Sequence, residues 1–400
     1  MNSFSHDPKS HLDAVDYIAK SGDWLAVRST NLVIKNPLFY DVAALFYRAG
    51  QVLGMDVWFA VRQFILILYG IYIYFAFQLM TFALQDKAVR RLMYTALLFW
   101  PVALTYPVRI SPDIAIGTAS MAVFYYLYRW IDNPQEKQYF IYALVISGIS
   151  ILVKINGIAN LGIVGFVMLW MLISGKTKYT VFVSKSVITA IIFSLVCIAF
   201  VYFRPAGFAE RAHFLQSDAN TSGILFELPV SLLFNIDEYF YYITQSPDFY
   251  PAHKSFWSTF LSSLFVGNFA GEPSRIIWQP PVLLWTIAVV GLFMYIYNFS
   301  YWCYRVWSQR NSSLYEELLF PVVIIPCMML LMFQLLTPGQ VYGNARYVVH
   351  FVALFCILYG RAMEWQWSTG RRKYYYFGLT MMHVFIITSI LLFLITCGIA

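Results

Sequence analysis

Charge is what this 400-residue chain has least of: only 12% of its residues are Asp, Glu, Lys or Arg. A soluble domain carries about 25%. So few charges exclude a soluble enzyme, a nucleic-acid binder and a disordered scaffold. Cysteine is also sparse. The five present (Cys197, Cys303, Cys327, Cys356, Cys397) lie in or beside apolar segments and form neither a disulfide framework nor a metal-ligand spacing. What fills the chain instead is apolar: 60% hydrophobic residues, 19% aromatic, and a mean hydropathy of +0.63. These values define a polytopic, all-α membrane protein.

A hydrocarbon core about 30 Å thick needs roughly 17–25 apolar residues per helix. Ten segments are candidates: 57–84, 92–107, 112–129, 138–153, 157–174, 180–203, 280–303, 318–336, 347–360 and 374–398. The stretch 138–174 reads equally well as one broken pair around Lys154-Ile155-Asn156-Gly157. Four regions follow: 1–56, an external loop; 57–203, membrane helices 1–6; 204–279, a second external segment; and 280–400, membrane helices 7–10.

Positive charge orients the bundle. With the first span running inward, Lys and Arg collect in the inner loops, from Lys87, Arg90 and Arg91 through to Arg371, Arg372 and Lys373. The opposite short loops hold only Arg109, Lys154 and Arg346, a bias that the positive-inside rule reads directly. Of the 20 acidic residues, only Asp86, Asp132, Glu136, Glu316, Glu317 and Glu364 fall inside. Acid/base chemistry is therefore expected outside. Residues 1–56 must then be translocated without a recognisable signal, which predicts one more membrane helix upstream of Met1.

The first external region reads as two interfacial helices. Leu12, Val15, Ile18 and Ala19 share a face after Asp7-Pro8, and Gly22 ends the run. After Asn36-Pro37, Leu38, Val42, Leu45 and Phe46 share another face, with Gly50 as the stop. Asp13 and Asp16 are expected on the solvated side of the first helix. In the second external segment, an amphipathic run follows His253-Lys254-Ser255-Phe256-Trp257 as far as Phe269.

These segments carry a family resemblance. His6-Asp7-Pro8-Lys9-Ser10-His11-Leu12, Tyr17-Ile18-Ala19, Asn36-Pro37-Leu38-Phe39-Tyr40 and Leu45-Phe46-Tyr47-Arg48 resemble the first external loop of GT-C-type polytopic membrane glycosyltransferases. That group includes protein mannosyltransferases, aminoarabinose transferases and RgtA/B/C/D-like enzymes, which use polyprenyl-phosphate sugars. The resemblance continues at Arg109-Ile110-Ser111-Pro112-Asp113, Leu152-Val153-Lys154-Ile155-Asn156-Gly157 and Gly343-Asn344-Ala345-Arg346-Tyr347, in the family's order. The absent leading helix is the departure from that pattern.

The resemblance implies hexosyl or pentosyl transfer, inverting, from a polyprenyl-phosphate donor to a hydroxyl of a glycan, lipid or protein. It makes Asp7 the general base and Asp113 a second catalytic carboxylate. Asp7-Pro8 also has the form of a helix N-cap with proline at the first helical position, and Ser111-Pro112-Asp113 that of a helix start with an acid on the dipole. Cap and catalyst are compatible roles. The lipid phosphate needs cations, and arginine grips phosphate oxygens with a planar fork. Arg346, Arg109, Lys154 and His11 are the candidates. A divalent cation, Mg or Mn, would take Asp7 and Asp113 as ligands if one is used. The resemblance to bacterial members points to a multi-pass protein of the plasma (inner) membrane with an outward-facing site. Two other readings stay open: a secondary transporter, and a non-catalytic protein with the transferase fold. The near absence of central charges and of paired broken helices argues against transport.

Overall fold

Every regular element among the described residues is helical, as expected where a backbone in lipid must satisfy its own hydrogen bonds. The structure, a computed structural model, describes residues 8–22, 24, 37–104, 110–203, 256–266, 281–305 and 350–396. By length and composition, Val57–Ala83, Val282–Cys303 and Arg372–Ile395 are each long and apolar enough to cross a membrane. Lys137–Val153, Ile158–Ile173 and Lys185–Val201 are shorter apolar helices. The polytopic, all-α class read from composition is the class observed. The expected span 318–336 lies outside the described residues. The chain divides into two units: Met1–Ala76 with Tyr106–Ala219, and Phe77–Thr105 with Asn220–Ala400.

The first unit opens with helices α1 (Pro8–Ser21) and α2 (Pro37–Val52), which pack together. Ala14, Val15, Ile18 and Ala19 form the buried stripe of α1, and Gly22, at φ 72°, ends it by donating its N–H to Ile18 O at 3.0 Å. Asp13 is exposed as expected, but Asp16 is not merely solvated. It holds Lys20 Nζ at 2.8 Å and accepts from the Tyr47 hydroxyl at 2.8 Å. The bond to Asp16 raises the Lys20 ammonium above its usual range, and burial raises the Tyr47 phenol.

On α2 the buried stripe is Tyr40, Ala43, Ala44 and Tyr47. Of the stripe expected from periodicity, Leu45 is 55% exposed, while Leu38, Val42 and Phe46 are half-buried, with Phe46 stacked on Phe64 at 5.3 Å. This helix is apolar on both stripes. One is buried in protein and the other is partly covered, with Leu45 on its open side. Nor does Gly50 stop α2: the helix continues to Val52, and the left-handed residue is Gly54, at φ 65°. Gly50 is there for closeness, because a Cβ would lie 2.8 Å from Ala60 Cβ and 3.3 Å from Val57 Cα.

Helix α3 (Val57–Ala83) leaves Leu66, Ile67 and Ile71 exposed, apolar surface of the kind a lipid-facing helix offers. Next come α6 (Asp113–Asp132), α7 (Lys137–Val153), α8 (Ile158–Ile173) and α9 (Lys185–Phe203), after α4 (Lys87–Leu98) and α5 (Pro101–Leu104) of the other unit. Helix α7 is central and packs on α2, α6, α8 and α9. Small residues permit its crossing with α9: a Cβ on Gly148 would meet Ser194 Cα at 3.1 Å, and Ser194 Oγ donates to Leu144 O at 2.9 Å.

In the second unit the expected span 92–107 is broken. Helix α4 (Lys87–Leu98) starts where the Asp86 side chain accepts from Ala88 N at 2.7 Å and Val89 N at 2.9 Å. It stops before Pro101, which opens the single turn α5 (Pro101–Leu104). Proline has no N–H for the preceding turn and biases its predecessor away from helix. Between the two pieces, fully buried Trp100 packs on Phe265, Phe355 and Phe385 and donates its indole N–H to Leu264 O at 2.7 Å. The amphipathic run of the second external segment is α10 (Phe256–Val266). It packs on α11 (Pro281–Cys303) at Gly291, where a Cβ would meet Phe265 Cγ at 2.3 Å. Helices α12 (His350–Ser368) and α13 (Arg372–Thr396) complete the unit.

Candidate functional site

Two of the sequence motifs meet in the first unit. Helix α6 begins at Asp113 after the bend Ser111-Pro112. Ser111 Oγ accepts the Asp113 N–H at 3.3 Å and donates its own hydrogen to Asp113 Oδ2 at 3.0 Å. The other carboxylate oxygen, Oδ1, lies 2.5 Å from Lys154 Nζ. The side chains are 15% and 26% exposed, Asp113 and Lys154 respectively, so the pair is mostly shielded yet reachable. Two residues 41 positions apart thus form one charged unit where α6 starts and α7 ends.

Local chemistry explains why Lys154 sits there. Helix α7 ends at Val153, and Lys154 turns extended with φ −159° and ψ 143°. A single 3₁₀ turn, Ile155–Gly157, follows before α8. This is the break that Lys154-Ile155-Asn156-Gly157 suggested. Gly157 is required by contact rather than by φ: a Cβ would lie 2.4 Å from both C and O of Ser150 and 2.7 Å from Ile151 N. A buried polar chain ties the break to its neighbours. Ser120 Oγ donates to Asn160 Oδ1 at 2.8 Å, and Asn160 Nδ2 donates to Ser150 Oγ at 3.2 Å. Ser150 Oγ lies 2.7 Å from Ser147 O and 3.2 Å from Gly157 O. Helices α6, α7 and α8 are thereby fixed against one another just inside the Asp113–Lys154 pair.

The remaining candidates are distributed differently. His11 lies on α1, with Nδ1 2.7 Å from the Tyr40 hydroxyl and its ring stacked on that of Tyr40 at 5.8 Å. It thus joins α1 to α2. Asp7, Arg109 and Arg346 lie outside the described residues.

For a divalent cation, no group of three or more His, Cys, Asp or Glu gathers among the described residues. Asp113 already carries an ammonium on one oxygen and a hydroxyl on the other. Mg²⁺ demands near-octahedral oxygen coordination, and the other expected ligand, Asp7, lies outside the described residues. Sequence reasoning placed Asp113 and Lys154 on the external side but did not pair them. It missed Ser120, Ser150 and Asn160 altogether, although polar residues inside apolar spans are a signal for such a network.

No family model matches the chain, and no curated protein sequence matches it. Two solved structures are similar: ArnT from Cupriavidus metallidurans bound to undecaprenyl phosphate, and the same protein in the apo state. Each is 14% identical and covers 89% of this chain, with 74% and 73% of the ArnT chain and TM-scores of 0.41 and 0.42 respectively. ArnT is a GT-C aminoarabinose transferase, a member of the group whose motifs this sequence resembles.

Proposed function

We propose that this protein transfers a sugar from a polyprenyl-phosphate donor to an acceptor hydroxyl, with inversion, on the outer face of a bacterial plasma membrane. The supporting observation is the Asp113–Lys154 pair, which joins the Arg109–Asp113 and Leu152–Gly157 motifs in one place. In this reading the acceptor oxygen attacks C1 of the sugar, the bond from C1 to the phosphate oxygen breaks, and its electron pair leaves with the lipid phosphate. Asp7 takes the acceptor proton. A positioned carboxylate contributes roughly 10²–10⁴-fold in such a step.

Asp113 has a different part, because both of its oxygens are engaged. It is a positioning residue that fixes the Lys154 ammonium. An ammonium has three N–H donors, so Lys154 can share its hydrogens between the Asp113 carboxylate and a phosphate oxygen of the leaving group. Arg109 and Arg346 are proposed as further phosphate ligands on their chemistry alone, since a guanidinium fork suits phosphate oxygens.

The test is a transfer assay with the purified full chain, a polyprenyl-phosphate sugar and a hydroxyl acceptor. Wild type is expected to transfer, while Asp113→Asn loses about tenfold or more, chiefly through a weaker grip on the donor phosphate. Undiminished transfer by Asp113→Asn, or none by wild type across hexosyl and pentosyl donors, would count against the proposal.

A further inference from the structure

The second unit contains a site of another kind. A cavity of about 750 Å³ is lined by Asp86, Arg305, Arg361, Glu364, Trp365 and Trp367, among other residues. That volume lies within the roughly 300–1,000 Å³ of small-molecule sites. It sits where α11 and α12 end and where α4 and α13 begin. Residues near two helix starts line it: Asp86 and Val89 at α4, and Tyr375 in the first turn of α13. Every one of these ends belongs to the loops in which Lys and Arg accumulate, which the charge bias assigns to the inner side.

Its charges are sorted. The carboxylates are committed within the protein: Asp86 caps α4 through Ala88 N and Val89 N, and Glu364 accepts the Asp86 N–H at 2.7 Å. Burial raises the Glu364 carboxyl above its usual range, opposed by the Asp86 N–H and Arg361. Arg361 lies 3.7 Å from the other Glu364 oxygen. Around them stand more cations. Arg371 stacks over Trp365 at 4.7 Å and over Tyr304 at 5.2 Å, and Arg372 over Trp367 at 4.8 Å. Arginines beside tryptophan at a membrane boundary combine a phosphate-binding fork with rings suited to the headgroup level.

We infer that this cavity binds a phosphate group at the inner membrane surface, with Arg305 and Arg361 as its principal contacts. The chemistry is that of an anionic phospholipid headgroup. Basic pockets between helices on the cytoplasmic side take such headgroups, and the same contacts would accept free phosphate. The role is separate from the transferase site, and it stands whether or not that site turns over.

The experiment uses the full chain in nanodiscs of phosphatidylcholine with a minority of phosphatidylglycerol, with retained lipid read by native mass spectrometry. Wild type should retain phosphatidylglycerol in preference to phosphatidylcholine. Arg305→Gln with Arg361→Gln should reduce that preference about tenfold or more, and Arg305→Lys with Arg361→Lys should keep most of it. A parallel arm adds inorganic phosphate to the protein in neutral detergent. A thermal shift in wild type that is absent from the Gln pair, without lipid preference, identifies a soluble phosphate as the ligand. The proposal is overturned if wild type shows neither lipid preference nor a phosphate-induced shift, a result that does not depend on any variant folding. It is also overturned if the folded Gln pair behaves as wild type in both arms.

Discussion

Replacing Asp7 with Asn is expected to lower glycosyl transfer about 10²–10⁴-fold with almost no change in thermal stability. The substitution separates the two roles that the sequence permits at this position. Asn caps a helix about as well as Asp, so a residue needed only to start α1 would tolerate the change. A general base would not, because an amide cannot take the acceptor proton at neutral pH. Substrate binding should change little, since the side chain keeps its size and one oxygen. The effect therefore belongs in kcat rather than in KM. The assay is transfer rate against acceptor concentration, with thermal melting of the same preparation. Unchanged kcat would reduce Asp7 to a cap.

Gly157→Ala is the second large effect, this time on folding. The added methyl would fall 2.4 Å from the backbone carbonyl of Ser150, and helix backbone in the last turn of α7 cannot step aside as a flexible side chain would. Overpacking of this kind costs typically about 1–3 kcal/mol. Here relief would pull the α7–α8 break apart from the Ser120–Asn160–Ser150 chain, whose buried groups would then go unsatisfied at a further cost of about 1–3 kcal/mol each. Lower yield of folded protein and a melting point reduced by several degrees are expected, together with loss of transfer because Lys154 is displaced. Gly175→Ala serves as comparison. Its φ of 68° makes that substitution strained, but a Cβ there meets nothing within 4 Å, and it lies at the far end of α8. It should lose some stability while keeping the Asp113–Lys154 geometry and hence the activity. A Gly157→Ala protein as stable and active as wild type would show that the tight approach does not hold the break.

How much of this was legible in the sequence depends on which forces decide each feature. The helix break was legible, because Lys-Ile-Asn-Gly interrupts two apolar runs with a charge, an amide and a glycine. The start of α6 at Ser111-Pro112-Asp113 was legible for the same reason: cap chemistry is local. The buried face of α2 was not. Periodicity finds apolar stripes, but α2 has two, and only the packing partner decides which one is fully buried. Gly50 misled in a related way, since a glycine needed for close approach to Ala60 looks in sequence like one needed for a turn. Asp16 looked solvated because its partner Tyr47 is 31 positions away. The pairing of Asp113 with Lys154 is also a long-range fact; topology put both on one side of the membrane, and only the packing of α6 on α7 made them neighbours.

The most direct measurement is a double-mutant cycle on that pair, using Asp113→Asn, Lys154→Gln and both together, with kcat/KM for the polyprenyl-phosphate donor as readout. If the carboxylate acts by holding the ammonium against the leaving phosphate, each single change should cost about tenfold or more and the double change little beyond the worse single. Losses that multiply, or a Lys154→Gln protein as active as wild type, would contradict a shared role for the two residues.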